Sequence, residues 1–272
     1  MTTLSFQEKT QKQWDAGKFL CVGLDMHEYL LKDIAGDTVS ERMVQFAEKV
    51  IAETSAVAHS YKINTAFFEA YGSEGIRALE RVCERVRALA PDCPIILDAK
   101  RGDIGSTNDG YVRFAFTVCG ADAITVHPYM GQESLTPFLD QTDKGVIVLC
   151  RTSNPGAAEF QNQAVGDDGQ SLYLEVATRV AEGWNANNNC WLVVGATVPQ
   201  ECAQIRKACP DIPFLIPGVG AQGGDLEATV KAARCADGAG FVISVSRAIL
   251  EAPDMRAIAE DYNAQIQTIL HQ

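Results

Sequence analysis

The sequence predicts an α/β fold of the (β/α)8 or TIM-barrel class: one domain over 1–272, with an extra N-terminal helix. Three observations carry that reading. Eight short apolar, β-branched runs recur along the 272 residues, most of them continuously hydrophobic as buried parallel strands are. Amphipathic helical patterns fill the gaps between them. No linker or low-complexity stretch divides the chain, and its length suits a single barrel. An open doubly wound sheet is the alternative arrangement of the same alternation.

The elements follow in order. FQEKTQKQWDAG (6–17) reads as a helix that covers the barrel floor. The strand runs are FLCVGLD (19–25), VAHSYKIN (57–64), PIILDAK (94–100), AITVHPY (123–129), GVIVLCRTS (145–153), CWLVVGAT (190–197), PFLIPGVG (213–220) and GFVISVSR (240–247). Apolar residues at three- and four-residue spacing mark helices over 39–54, 73–90, 171–184, 198–209 and 225–235. Ser73 reads as an N-cap. RTSNPGAAEFQNQAVGDDGQ (151–170) is a long polar loop after the fifth strand, a candidate lid.

Charge and cysteine usage narrow the function classes. A net charge of −12 leaves no general basic face for duplex nucleic acid. The nine cysteines are odd in number, form no C-x-x-C and lie partly in apolar runs, as reduced core residues of a cytoplasmic protein do. The first residues carry no apolar signal-peptide region, and no run of about 20 apolar residues predicts a membrane span.

Barrel chemistry sits at the C-terminal ends of the strands. There the chain places Asp25, Lys62, Asp98, Lys100, Asp103, His127, Ser153 and Arg247, with the loop GVGAQGG (218–224). Asp98 and Lys100 are two apart on a strand and share a face, setting an acid beside an ammonium that it keeps protonated. Lys62 extends that array or is a structural lysine paired with a strand-end acid. The glycines of GVGAQGG free backbone N–H groups to converge before a helix, and Arg247 follows the last strand; together they predict a phosphate grip. His59 reads as core, whereas His127 and His27 are candidates for the site and its rim. No histidine–carboxylate spacing demands a metal.

With these residues in view, the chain resembles the orotidine 5′-monophosphate decarboxylase family, in its variant (type 2) with the signature D-A-K-R-G-D-I-G-x-T, here Asp98 to Thr107. CVGLD (21–25), YKINTAFFEAYG (61–72), ADAITVHPYMG (121–131), TSNPG (152–156), VVGAT (193–197) and PGVGAQGG (217–224) fit in order across nearly the whole chain; Met26 and His127 depart from the usual pattern. The resemblance implies a homodimeric lyase with shared active sites. It would convert orotidine 5′-monophosphate to uridine 5′-monophosphate and carbon dioxide without cofactor or metal, the last step of de novo pyrimidine synthesis. It also implies roles. Lys100 protonates C6, Asp98 lies by the scissile carboxylate, and Lys62 joins the array. Asp103 and Thr107 reach into the partner's site, and Asp25 binds a ribose hydroxyl. Ser153 reads the pyrimidine edge, Gln222 and Arg247 hold phosphate, and Pro217 lines the substrate pocket.

Three rival readings remain. Magnesium-using sugar-phosphate barrels share D-x-K-x-x-D but end strand two in a carboxylate, where this chain has Lys62. A Schiff-base aldolase needs a neutral lysine, which flanking acids oppose. A non-catalytic phosphate-ligand binder would retain ligand without turnover.

Overall fold

The computed structural model describes residues 4–166, 169–220 and 223–272. Each of the eight apolar runs contains a strand: β1 (Leu20–Gly23), β2 (Ala58–Asn64), β3 (Ile95–Arg101), β4 (Ala123–Val126), β5 (Gly145–Arg151), β6 (Cys190–Val194), β7 (Phe214–Pro217) and β8 (Phe241–Val245). They pair in parallel in the order β1-β8-β7-β6-β5-β4-β3-β2 and close on themselves. The predicted barrel is therefore the fold. Closure removes sheet edges, and burial on both faces explains the continuous apolar runs.

The first helix, Phe6–Asp15, is held by a capping box in which Ser5 and Glu8 bond each other's backbone N–H. It seals the floor as its sequence predicts. Phe6 and Trp14 pack on Trp191, with ring centroids 5.0 and 5.6 Å away. Lys9 donates to Asp122 at 2.8 Å, and Asp122 also accepts the Ile95 N–H at 2.9 Å, so the helix is tied to the starts of β3 and β4. His59 is core, fully buried where the β1–β2 register slips. Eight of the nine free cysteines are buried as well, and burial pushes the thiols of Cys21 and Cys202 up to about 11 and 12.

The structure corrects several local expectations. Ser73 is not the N-cap: the helix runs Gly72–Leu89, and Tyr71 at the cap position makes no side-chain cap bond. The stretch after Lys100, not read as helix from periodicity, forms one over Gly105–Val112. Helices Gly131–Leu139 and Met255–Leu270 add to those read from periodicity. The 151–170 loop carries a short helix, Ala158–Gln161, and Ala164–Val165 pairs antiparallel with Gln170–Ser171. Among the described residues no helix is long and apolar enough to cross a membrane.

Candidate active site

Inside the barrel, Cys21, Ile96, Ala123, Ile147, Leu215 and Val242 form an apolar layer above the floor. Strand side chains alternate with period two, so the next inward positions face the mouth. These are Lys62, Asp98, Thr125, Leu149, Pro217 and Ser244, and all six line a cavity of about 430 Å³. Lys62, Asp98 and Thr125 form a charged and polar wall, with Leu149, Val193, Leu215 and Pro217 as the apolar one.

The charged wall is built on one carboxylate. Lys62 Nζ lies 3.0 Å from Asp98 Oδ2 and 3.7 Å from Asp25 Oδ1. Lys100 Nζ lies 2.6 Å from Asp98 Oδ1, which also accepts the Thr125 hydroxyl at 2.9 Å. Burial would raise the Asp98 pKa, but the two ammonium groups override it and hold the carboxyl well below the usual range. Burial likewise pulls Lys62 down, and Asp98 and Asp25 more than offset it, so its pKa is raised. Both groups are ionised at neutral pH.

Asp98 and Lys100 meet as their spacing predicts, but not on a regular strand. The β3–β4 register shifts between Leu97 and Arg101, and Lys100 adopts φ 48°, in the left-handed region. Such backbone is strained for a residue with a Cβ and is typical of functional sites.

The rest of the cavity assembles from strand-end loops. Ser153 follows β5, and a Cβ on Gly195 would lie 2.7 Å from the Ser153 backbone, so the glycine in VVGAT permits that approach. Gly218 (φ 107°) and Arg247 lie on the β7 and β8 sides. Gln222 lies outside the described residues. Asp25 Oδ1 and Ser246 Oγ are buried with no hydrogen-bond partner among the described residues, and both residues line the cavity.

The structure thus brings Asp25, Lys62, Asp98, Lys100, Ser153, Pro217 and Arg247 around one space. It leaves Asp103 and Thr107 outside that wall. Asp103 is half-buried, its Oδ1 accepting the Ile104 N–H at 2.7 Å; Thr107 is exposed on the following helix, and Ile104 is 57% exposed. His27 lines the rim as expected, edge-on to Phe67 at 4.5 Å. His127 does not line this cavity: its Nε2 is 3.0 Å from the Gly102 carbonyl, and it borders a neighbouring space with Tyr129 and Trp184. Reasoning from sequence missed Thr125, Leu149, Val193 and Ser244. The two-residue inward period that placed Asp98 would have found them, but they carry no charge to draw attention.

A family profile described as "Orotidine 5'-phosphate decarboxylase / HUMPS family" matches residues 18–262. A Roseiflexus castenholzii protein named orotidine 5′-phosphate decarboxylase is 46% identical over 252 residues, 91% of this chain and 89% of that protein. A Janthinobacterium protein of the same name is 47% identical over 255 residues, 92% of this chain and 90% of that one. Among solved structures, Leishmania donovani OMP decarboxylase superposes with TM-score 0.88 at 40% identity, covering 99% of this chain and 100% of that one. Leishmania donovani UMP synthase gives TM-score 0.91 at 43% identity over 98% of this chain, which spans only 57% of that longer protein. With the match running from β1 into the last helix, the chain belongs to the orotidine 5′-phosphate decarboxylase / HUMPS family.

Proposed function

We propose that the chain decarboxylates orotidine 5′-monophosphate to uridine 5′-monophosphate and carbon dioxide, as a single barrel domain that uses neither metal nor cofactor. One observation carries this reading: Asp98 holds an ammonium on each of its oxygens at the bottom of a half-apolar cavity. Loss of carbon dioxide from C6 leaves a carbanion with no adjacent carbonyl to take the charge. Fixed positive charge at that atom is what lowers the barrier, and preorganised electrostatics is the means that can supply a rate enhancement of roughly 10¹⁷-fold.

The two lysines divide the work. Lys62 is sealed, its side chain 9% exposed, and acts as permanent counter-charge. Lys100, 48% exposed, donates the proton to C6 and is reprotonated from water. Asp98 orients both and lies by the scissile carboxylate. Asp25 Oδ1, a buried acceptor with no hydrogen-bond partner among the described residues, suits a ribose hydroxyl. Ser153 meets the pyrimidine edge above the apolar wall of Leu149, Val193 and Pro217. Arg247, with Gln222 and the 218–224 loop, takes the phosphate, whose binding energy closes the lid and stabilises the charged site.

Asp103 and Thr107 sit outside this chain's cavity beside the exposed Ile104, which supports a homodimer in which each reaches its partner's site. The Asp98–Thr107 stretch supports assignment to the signature variant named above. The free buried thiols suit a reducing cytoplasm.

The rival reading is a magnesium-using sugar-phosphate barrel. Here the Lys62 ammonium stands between Asp25 and Asp98, where a magnesium ion would need open carboxylates. The test is to mix the protein with orotidine 5′-monophosphate in excess EDTA and follow the pyrimidine absorbance. Rapid conversion is expected. No conversion by folded dimer would return the reading to the metal-using enzymes.

A further inference from the structure

The β3–β4 ladder slips beside the charged array. Leu97 pairs with Ile124 and Arg101 with Val126, so Asp98, Ala99 and Lys100 face Thr125 alone. Three residues opposite one cannot all keep regular ladder bonds. Within this bulge Lys100 takes its left-handed conformation, which persists only where the surroundings over-determine it.

Thr125 supplies the missing constraint. It is buried, 1% exposed. Its Oγ1 accepts the Lys100 backbone N–H at 3.0 Å and donates its one proton to Asp98 Oδ1 at 2.9 Å. That same oxygen receives the Lys100 ammonium at 2.6 Å. A closed circuit results: the hydroxyl fixes the backbone from which Lys100 springs and the carboxylate that its ammonium grips. The β-branch limits the rotamers of Thr125, so the hydroxyl is held where both partners need it. Lys100 itself is a flexible, half-exposed side chain whose ammonium has one protein anchor among the described residues, Asp98.

We propose that Thr125 is a positioning residue for the reaction, acting through Lys100 and Asp98 to aim the ammonium at C6. The inference rests on the decarboxylase reading and on Lys100 as proton donor. Sub-ångström placement of a catalytic group depends on partners of this kind. Removing the hydroxyl leaves the Lys100 N–H unpaired and frees the strained residue to relax.

The experiment is steady-state kinetics on Thr125→Val, which keeps the shape and loses the hydroxyl, and on Thr125→Ser, which keeps the hydroxyl. Wild-type turnover in EDTA is the reference. T125V is expected to lose about 10- to 100-fold in kcat. Its KM and its affinity for uridine 5′-monophosphate stay within about threefold, and T125S returns to within about threefold of wild-type kcat. In a Lys100→Ala background, Thr125→Val lowers the residual rate no further, because its route to the reaction is gone. A T125V protein with wild-type kcat overturns the proposal. So does a T125S protein as slow as T125V, or a fall confined to KM. Thr125→Ala, which also lacks the hydroxyl and adds no buried bulk, gives the same reading if the valine protein does not fold. Inactive wild-type protein removes the decarboxylase reading and this inference with it; active wild type with an unimpaired T125V removes this inference alone.

Discussion

Lys62 and Lys100 grip opposite oxygens of Asp98, at 3.0 and 2.6 Å, yet the first is sealed from water and the second is open to it. Equal charge in unequal surroundings gives the two residues different failure modes.

Truncating the open lysine is a loss of chemistry. Lys100→Ala is expected to lower kcat by about 10⁴-fold or more, since both the counter-charge and the acid disappear. Unfolding stability changes by less than about 1 kcal/mol, as for a half-exposed pair. Kinetics together with calorimetric binding of uridine 5′-monophosphate checks this; activity near wild type would sink the proton-donor role.

Truncating the sealed lysine is also a loss of structure. Lys62→Ala strips buried Asp98 and half-buried Asp25 of a partner and is expected to cost about 3 kcal/mol. A urea midpoint no lower than that of Lys100→Ala would contradict it.

Arg247 lines the cavity just after β8, whereas the array sits on β2 and β3. Arg247→Ala is expected to raise KM by about 10- to 100-fold, the usual worth of a charge-assisted hydrogen bond. Binding of a nucleoside lacking phosphate should be unchanged. If both ligands weaken equally, Arg247 is not the phosphate grip.

Asp103 and Lys100 test the shared site. Each single variant, Asp103→Ala or Lys100→Ala, is expected to be inactive alone. A heterodimer of the two holds one intact site of two and regains about half the wild-type activity per dimer. Verified heterodimers without activity would argue against a shared site.

Stability should fall in mild acid because of His59. Burial, reinforced by the nearby charge of Lys18, drives its pKa down to about 3. From about pH 6.5 downward the unfolded chain takes up a proton that the folded chain refuses, so stability drops with a slope near 1.4 kcal/mol per pH unit until pH nears 3. Asp98 adds to the loss only below the ordinary carboxylate range, because its folded pKa lies lower still. Urea unfolding at pH 7 and pH 5 measures this. His59→Gln should flatten the difference, and an unchanged slope in that variant would assign the acid loss elsewhere.

Residue by residue, legibility followed burial and charge. β6 reads as a strand because all five of its side chains are buried, which leaves no polar interruption. GSTNDGYV could not be read as helix: it has no apolar stripe, and its helical state comes from tertiary packing, including the Asn108 amide that donates to the Asp103 and Ser134 carbonyls. Lys62, Asp98 and Lys100 were visible because charge at the end of an apolar run is costly without a purpose. The left-handed turn at Lys100 was not, since lysine gives no sign of positive φ and the bulge depends on β4. Thr125 lay on the inward period without a charge to mark it, and its two bonds exist only across the slipped ladder.

The stopper of Phe6, Trp14 and Trp191 turns the barrel into a flask with one neck. On the proposed reading, substrate would enter and both products would leave through that neck. Carbon dioxide would form beside Asp98 with the nucleotide still bound, so its escape would compete with recapture by the carbanion, and prompt protonation by Lys100 would make the step one-way.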